Sequence, residues 1–382
     1  MHVIVNRESL ARALAIANSM IKHNPHGVFN YVMLNAAGDK LTVARTDIRT
    51  GVRITLPATV EDAGTIALQA RLLEKWASSV ASDAAGIRSL AQYDAELSAD
   101  QLRSSVFGTD YRDLYGYFYD DFPSAVSQDR TFVLPVTALR RAINRVVWET
   151  VDGVLLRIGD GKLLLVTTDN FRCARQRVSL SPASPVNLDS HIVVPAAFMR
   201  AVAEISSTCV DNARMVVSAD SRRIAYELVN KKYAQRIVAI SGLISDKFPD
   251  VDAIFQRQRT TLSRAVVDTV SFQRALRSTM PFSAENSVEI QFMPSLTATD
   301  GTLVMRATTP ELGNATAIVS ATITGADSTT VLNTRFLRDA CADIDDTLLL
   351  ETGGTHQPCT IRPANDDDEF VCIIMPIDPG KE

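Results

Sequence analysis

Six times along this chain a short run of alternating apolar residues gives way to an amphipathic helical run. The six openings read HVIVNRESLARAL, GTIALQARLLEKWA, TFVLPVTALRRAI, HIVVPAAFMRAVAEI, SRAVVDTVSFQRAL and TVLNTRFLRDACADI. Each predicts a strand running straight into a short helix. In every helix a large apolar residue is followed two places later by a charge. The pairs are Leu10 with Arg12, Leu73 with Lys75, Leu139 with Arg141, Phe198 with Arg200, Phe272 with Arg274, and Leu337 with Asp339. Two residues turn a helix through about 200°, so each charge points away from the core that its partner fills.

Helix phase agrees. Leu10, Ala13, Leu14, Ala17 and Ile21 share one face of the first helix, against Arg12, Ala15 and Ser19. Leu139, Ala142, Ile143 and Val146 oppose Arg140 and Arg141, and Phe272, Ala275 and Leu276 oppose Arg274 and Arg277. Asn6 and Asp268 stand where N-caps belong. Between openings the pattern is strand-like with turn signals: Gly38-Asp39, Gly159-Asp160-Gly161 and Asp300-Gly301.

The six openings pair into three larger repeats of strand, helix, strands, strand, helix, strands. The phrases DDFPSAV, DKFPDVD and IIMPIDP close the successive thirds. These features predict an α+β chain of three domains, 1–128, 129–257 and 258–382, each an antiparallel sheet with two helices on one face.

Charge sharpens the picture. The net charge is −5, yet five of the six recurring helix charges are basic. Arginine and lysine ordinarily just solvate an exposed helix face. Recurrence at one phase on an acidic chain argues for a shared basic surface instead. Residues 2–19 carry Asn6, Arg7, Glu8 and Arg12, unlike a secretory signal, and no stretch has the uncharged length of a membrane span. Five dispersed cysteines suggest buried, reduced thiols and a cytoplasmic protein.

No catalytic motif emerges. GDGK at 159–162 lacks the remainder of a phosphate loop, and GxGxxG, GxSxG and HExxH are absent. No cofactor or metal is expected. His23 and His26 have no cysteine nearby to complete a ligand set, and the acidic run from Asp366 to Glu369 reads as a solvated turn. The aromatic group Tyr111, Tyr115, Tyr117, Phe118 and Tyr119 reads as packing beneath a closing strand.

In order and spacing, HVIVNRESLARAL, RTDIRTGVRI, YDDFPSAV, TFVLPVTALRRAI, GVLLRIGDGKLLLVTTDNFRCA, HIVVPAAFMRAV, DKFPDVD and IIMPI resemble the bacterial DNA polymerase III β subunit, the sliding clamp. The resemblance spans essentially the whole chain. It implies a non-catalytic processivity factor: a head-to-tail homodimeric ring around duplex DNA, lined by helices, that tethers polymerase and clamp-loader subunits through short peptides. DNA contact would then fall to Arg12, Lys75, Arg141, Arg200 and Arg274, with Arg7, Lys22, His23, Arg140, Arg277 and Arg335 nearby. The ring contact would use the outer edges of the first and third domains, with 65–80 and 272–292 as candidate segments.

The resemblance also implies a partner-peptide pocket. Its walls would be Val151, Thr168, Asn170, Phe171, Arg172 and Cys173, then Pro249, Ala253 and Ile254, and finally Ile373, Ile374, Met375, Pro376 and Ile377. Methionine and isoleucine walls suit peptides with Leu or Phe anchors. The chain departs from the family here. Asn170-Phe171-Arg172-Cys173 replaces the usual Gly-His-Arg/Lys-Leu, Ala253 stands where a basic residue is common, and residues 378–382 continue past the usual end. The readings left open are a divergent replicative clamp, a second-copy clamp, and a repeat-built scaffold that binds proteins without DNA.

Overall fold

The computed structural model describes residues 1–21, 27–90, 93–110, 112, 130–182, 191–208, 211–218, 222–256, 261–295, 300–365 and 369–377. Several expectations lie outside them: Lys22, His23 and His26, Tyr111 and residues 113–129, Cys209, Asp366 to Asp368, and 378–382.

All six openings form a strand that passes into a helix without a loop. β1 (His2–Asn6) leads into α1 (Arg7–Met20), followed by β2 (Tyr31–Ala37), β3 (Lys40–Thr46) and β4 (Thr50–Asp62). β5 (Gly64–Gln69) leads into α2 (Ala70–Ser79), then β6 (Ala84–Ser89), β7 (Ala95–Ala99), β8 (Leu102–Val106) and the short β9 (Gly108–Thr109). β10 (Thr131–Pro135) leads into α3 (Val136–Val146), then β11 (Gly153–Gly159), β12 (Lys162–Thr168) and β13 (Arg172–Ser179). β14 (Ile192–Pro195) leads into α4 (Ala196–Ile205), then β15 (Asn212–Val217), β16 (Arg223–Asn230), β17 (Gln235–Gly242) and α5 (Val251–Gln256). β18 (Ser263–Asp268) leads into α6 (Thr269–Thr279), then β19 (Ser287–Pro294), β20 (Asp300–Thr309) and β21 (Gly313–Gly325). β22 (Ser328–Asn333) leads into α7 (Thr334–Cys341), then β23 (Thr347–Thr352), β24 (Cys359–Pro363) and β25 (Val371–Ile374).

The abrupt strand-to-helix switch has a local cause. Asn6, Asp268 and Asn333 keep extended backbone while their side chains accept the first free helical amides, at 2.9 Å from Ser9, 2.7 Å from Ser271 and 2.9 Å from Arg335. The helices then bury the anchors the pattern marked. Leu10, Leu73, Leu139, Phe198, Phe272 and Leu337 are each at most 2% exposed. Among the described residues no helix is long and apolar enough to cross a membrane.

The chain forms two compact units. The first contains Met1–Arg140, Ile158–Gly161 and Ser179–Ser245; the second contains Arg141–Arg157, Lys162–Val178 and Asp246–Glu382. In the first, antiparallel strands run in the order β10-β15-β16-β17-β4-β1-β6-β7-β8, with β2 joining β3 to β5. In the second the order is β11-β12-β13-β25-β24-β23-β18-β21-β20-β19-β22. Two of the expected turns form at Gly38-Asp39 and Asp160-Gly161. The third does not: Asp300 and Gly301 begin β20, and Gly301 lies opposite Pro294. A Cβ at Gly301 would stand 2.8 Å from the Met293 carbonyl, so close backbone approach, rather than a turn, requires this glycine.

One pairing occurs twice. β17 runs along the first half of β4, with Ser241 opposite Thr50, and β25 runs along β13, with Ile374 opposite Arg172. A backbone bond extends each pairing past the strand end: Gly242 N–H to the Arg49 carbonyl at 2.9 Å, and Met375 N–H to the Phe171 carbonyl at 2.8 Å. The preceding turns match as well. Asp47 Oδ1 accepts from the amides of Arg49 and Thr50, as Asp169 Oδ1 does from Phe171 and Arg172. Both turns need a left-handed residue in the middle, supplied by Ile48 at φ 79° and Asn170 at φ 71°. Asparagine tolerates that region; a β-branched residue is strained there, at a cost of about 1–3 kcal/mol. Ile48 is 55% exposed, so its side chain recovers little by burial. Replacing Ile48 with Asn is therefore expected to stabilise the protein by about 1 kcal/mol, read as a higher denaturant midpoint at unchanged slope. An unchanged or lower midpoint would show that the turn carries no strain.

Candidate functional site

The recurring basic residues lie on helix surfaces. In the first unit Lys75 is exposed, and Arg7, Arg12, Arg140 and Arg200 are half-buried. In the second, Arg141, Arg274, Arg277 and Arg335 are exposed. Lys22 and His23 lie outside the described residues. Buried polar links fix the helices that carry these charges. Asn18 on α1 donates to the Ala70 carbonyl at 3.2 Å and to Glu74 at 2.5 Å on α2. Arg45 is 1% exposed and donates to Asn18 at 2.6 Å and to the carbonyls of Ile21 and Phe29. Burial, with Arg71 nearby, pulls its pKa down to about 10. In the second unit Gln273 on α6 donates to the Cys341 carbonyl of α7 at 2.7 Å.

The second unit also holds a cavity of about 370 Å³, open to solvent. Four segments wall it: Thr168 and Asn170 to Cys173 from the β12–β13 turn, Ala253 and Ile254 from α5, Ile373 and Met375 from the C-terminal strand, and His356, Gln357 and Pro358 from the loop before β24. The fourteen pocket positions read from the sequence fall into two groups. Thr168, Asn170, Phe171, Arg172, Cys173, Ala253, Ile254, Ile373 and Met375 come together around the cavity. Val151, Pro249, Ile374, Pro376 and Ile377 are absent from its lining. Val151 and Ile374 are buried, Pro249 is exposed, and Ile377 donates its amide to the Val331 carbonyl at 2.8 Å. The loop 356–358 was missed because nothing in its sequence marks it; only the fold brings it to the wall. Phe171 and Met375 form an exposed apolar rim, at 64% and 45% exposure, tied by their backbone bond.

Arg172 borders the cavity, but its guanidinium is withdrawn behind it. The group lies between two rings, 3.8 Å from the centroid of Trp148 and 4.2 Å from that of Phe336. Its edges donate to Asp169 at 2.9 Å, to Asp339 at 2.9 Å and to Thr150 at 3.2 Å. A planar cation between aromatic faces, with a carboxylate on each side, is held in one position. This explains the sixth helix charge. Asp339 departs from the basic pattern because it is the counter-ion of a buried arginine. Arg338, one residue earlier, is exposed beside Arg335 and also donates to Asp339 at 3.0 Å. It was missed by following spacing two residues past the core anchor.

Two further arginines of the same unit reach toward the chain after α7. Arg145, 1% exposed, donates to the Asp343 carbonyl at 3.1 Å and to Gln176 at 3.0 Å, and Arg141 pairs with Asp345. Lys162 and Arg177 both pair with Glu369, which engages the described end of the acidic run. Among the described residues no cluster of His, Cys, Asp and Glu is arranged to hold a metal. Cys341, Cys359 and Cys372 are fully buried; burial raises their thiol pKa values, that of Cys359 to about 12. Replacing Asp339 with Ala is expected to cost about 2 kcal/mol or more, because Arg172 keeps only one carboxylate in a buried site. Replacing Asp345, whose pair with Arg141 is exposed, is expected to cost less than about 1 kcal/mol. Equal losses in chemical denaturation would contradict the structural role of Asp339.

No family model matches the chain. A β sliding clamp from Streptomyces coelicolor is 24% identical over 99% of both chains. Among solved structures, the DNA polymerase sliding clamp of Bacillus subtilis superposes with a TM-score of 0.84 at 18% identity, covering 99% of each chain. A sliding clamp of Pseudomonas aeruginosa bound to griselimycin superposes at 0.83 and 22% identity, again over 99% of both. The chain is thus similar over 99% of its length to bacterial β sliding clamps and has their fold.

Proposed function

We propose that this protein is a DNA sliding clamp, a non-catalytic processivity factor that encircles duplex DNA and tethers a polymerase and other DNA-processing partners in the cytoplasm. The observation that carries the reading is the sixfold strand–helix unit, with buried anchors and outward basic residues on an acidic chain, in a fold shared with sliding clamps over its full length. Contacts from such residues attract phosphates without reading bases, which suits a protein that must move along DNA. The three repeats 1–128, 129–257 and 258–382 serve as its domains. Arg12, Lys75, Arg141, Arg200 and Arg274 lead the DNA contact. Arg7, Lys22, His23, Arg140, Arg277, Arg335 and Arg338 support it.

Ring closure follows from the repeated pairing. In two cases the long strand after a hairpin, β4 or β13, takes the last strand of the following repeat, β17 or β25. The third such strand, β21, matches β4 in its length of 13 residues. Its last four residues pair with β18, whereas 313–321 pair only with β20. In the first repeat β8, which is followed by the two-residue β9, pairs only with β7 among the described residues. Both edges carry exposed apolar residues: Leu102 on β8 with Phe107 just after it, and Ile318 on β21 with Leu312 just before it. Unpaired edges of this kind recruit another strand. We place the contact between copies at β8 and β21, away from 65–80 and 272–292. With two copies, head-to-tail contacts of this type close the ring.

The protein is expected to stay on circular DNA and to slide off after linearisation; equal retention on both would favour the scaffold reading. Glutamate at Arg141, Arg200 and Arg274 together is expected to abolish clamp-dependent processivity while the dimer stays folded by circular dichroism and sedimentation. Aspartate at Phe107 or Ile318 is expected to weaken dimerisation at least tenfold in sedimentation equilibrium. An undisturbed dimer in both variants would move the contact elsewhere.

A further inference from the structure

The pocket in the second unit has an unusual charge balance. Among its lining residues the one permanent charge belongs to Arg172, and that guanidinium is only 2% exposed, between two rings and two carboxylates. The nearest carboxylate on α5, Asp252, is engaged by Arg157, and Arg175 lies 4.5 Å from the ring centroid of Phe255. Facing the opening are Phe171, Ile254, Ile373, Met375 and the small, exposed Ala253. An acidic side chain entering this space would lose water without meeting a free cation. A leucine or phenylalanine would bury apolar area against a polarizable methionine and an aromatic ring.

Taking Leu and Phe anchors from the reading of this pocket, we infer that it discriminates against acidic residues beside or between those anchors. Phe171 and Met375 hold the anchors, and Ala253 leaves the pocket without the cation that would accept a carboxylate. The inference rests on the reading of this cavity as the partner-peptide site and specifies the partner's chemistry. It follows from this chain's own side chains at 170, 171, 173 and 253.

The test uses the full-length protein and a capped, fluorescently labelled hexapeptide, Gly-Ser-Leu-Ser-Leu-Phe-amide. Three variants carry a single Asp at the first, second or fourth position. Anisotropy is measured at pH 8, where histidine side chains are ordinarily neutral. The wild-type protein is expected to bind the neutral peptide about tenfold more tightly than at least one Asp variant. Ala253→Lys should shrink that ratio below about threefold, with Ala253→Gln as a control of size that leaves it unchanged. Phe171→Ala should weaken all four peptides by a similar factor. Thermal melts establish that each variant is folded, which is expected because 171 and 253 are exposed. If the wild-type protein binds all four equally, or prefers an acidic one, the selectivity inference falls while the pocket stands. If it binds none, the pocket reading falls with it.

Discussion

Backbone pairing between successive repeats is the constraint on which the rest depends. A strand amide left without a partner inside a protein costs free energy of the order of a lost hydrogen bond. β4 and β13 meet that need by accepting the last strand of the following repeat. The Met375–Phe171 bond then carries the pairing past the strand end, which sets the height of the pocket rim. The cavity is therefore a by-product of how sheets are joined. Among the described residues β8 and positions 313–321 of β21 each pair on one side only, and the proposed contact between copies joins these two edges.

Electrostatics works differently on the two sides of this joint. On helix surfaces the basic residues remain in or near solvent, available to a polyanion. Behind the pocket, by contrast, Arg172 is removed from water and held by rings and carboxylates. A desolvated arginine is tolerated only with such a complete set of partners. Its carboxylate Asp339 comes from α7 and Asp169 from the β12–β13 turn, so one guanidinium fastens the pocket wall to a helix of the same unit. A residue that the sequence placed simply on the pocket wall is part of the wall's foundation.

What the sequence revealed tracks the range of the interaction involved. Strand and helix openings are local: an alternating run, a cap and a 3.6-residue stripe lie within a dozen residues, and all six formed as the pattern predicted. The β11–β12 turn at Asp160-Gly161 was legible for the same reason. Asp300-Gly301 misled because a glycine needed for close approach looks the same in one dimension as a glycine needed for a turn. The pocket was partly legible through family likeness, but the loop 356–358 arrives from a distant part of the chain and bears no local mark. Asp339 was visible as an exception, yet its reason sits 167 residues away in Arg172.

On α7 position 339 is acidic where the other five helices carry a basic residue, while Arg335 and Arg338 are exposed on the same helix, and this bears on how such proteins can change over time. A surface that reads bases must keep particular side chains at particular points, since each carries part of a message. A surface that holds a uniformly charged rod responds to the sum of its charges. Losing one member is repaired by gaining another a turn away, and a position so released is open to other work, here neutralising a buried arginine. Selection then acts on a total rather than on an alphabet, and two chains can share a fold while agreeing at fewer than one residue in four.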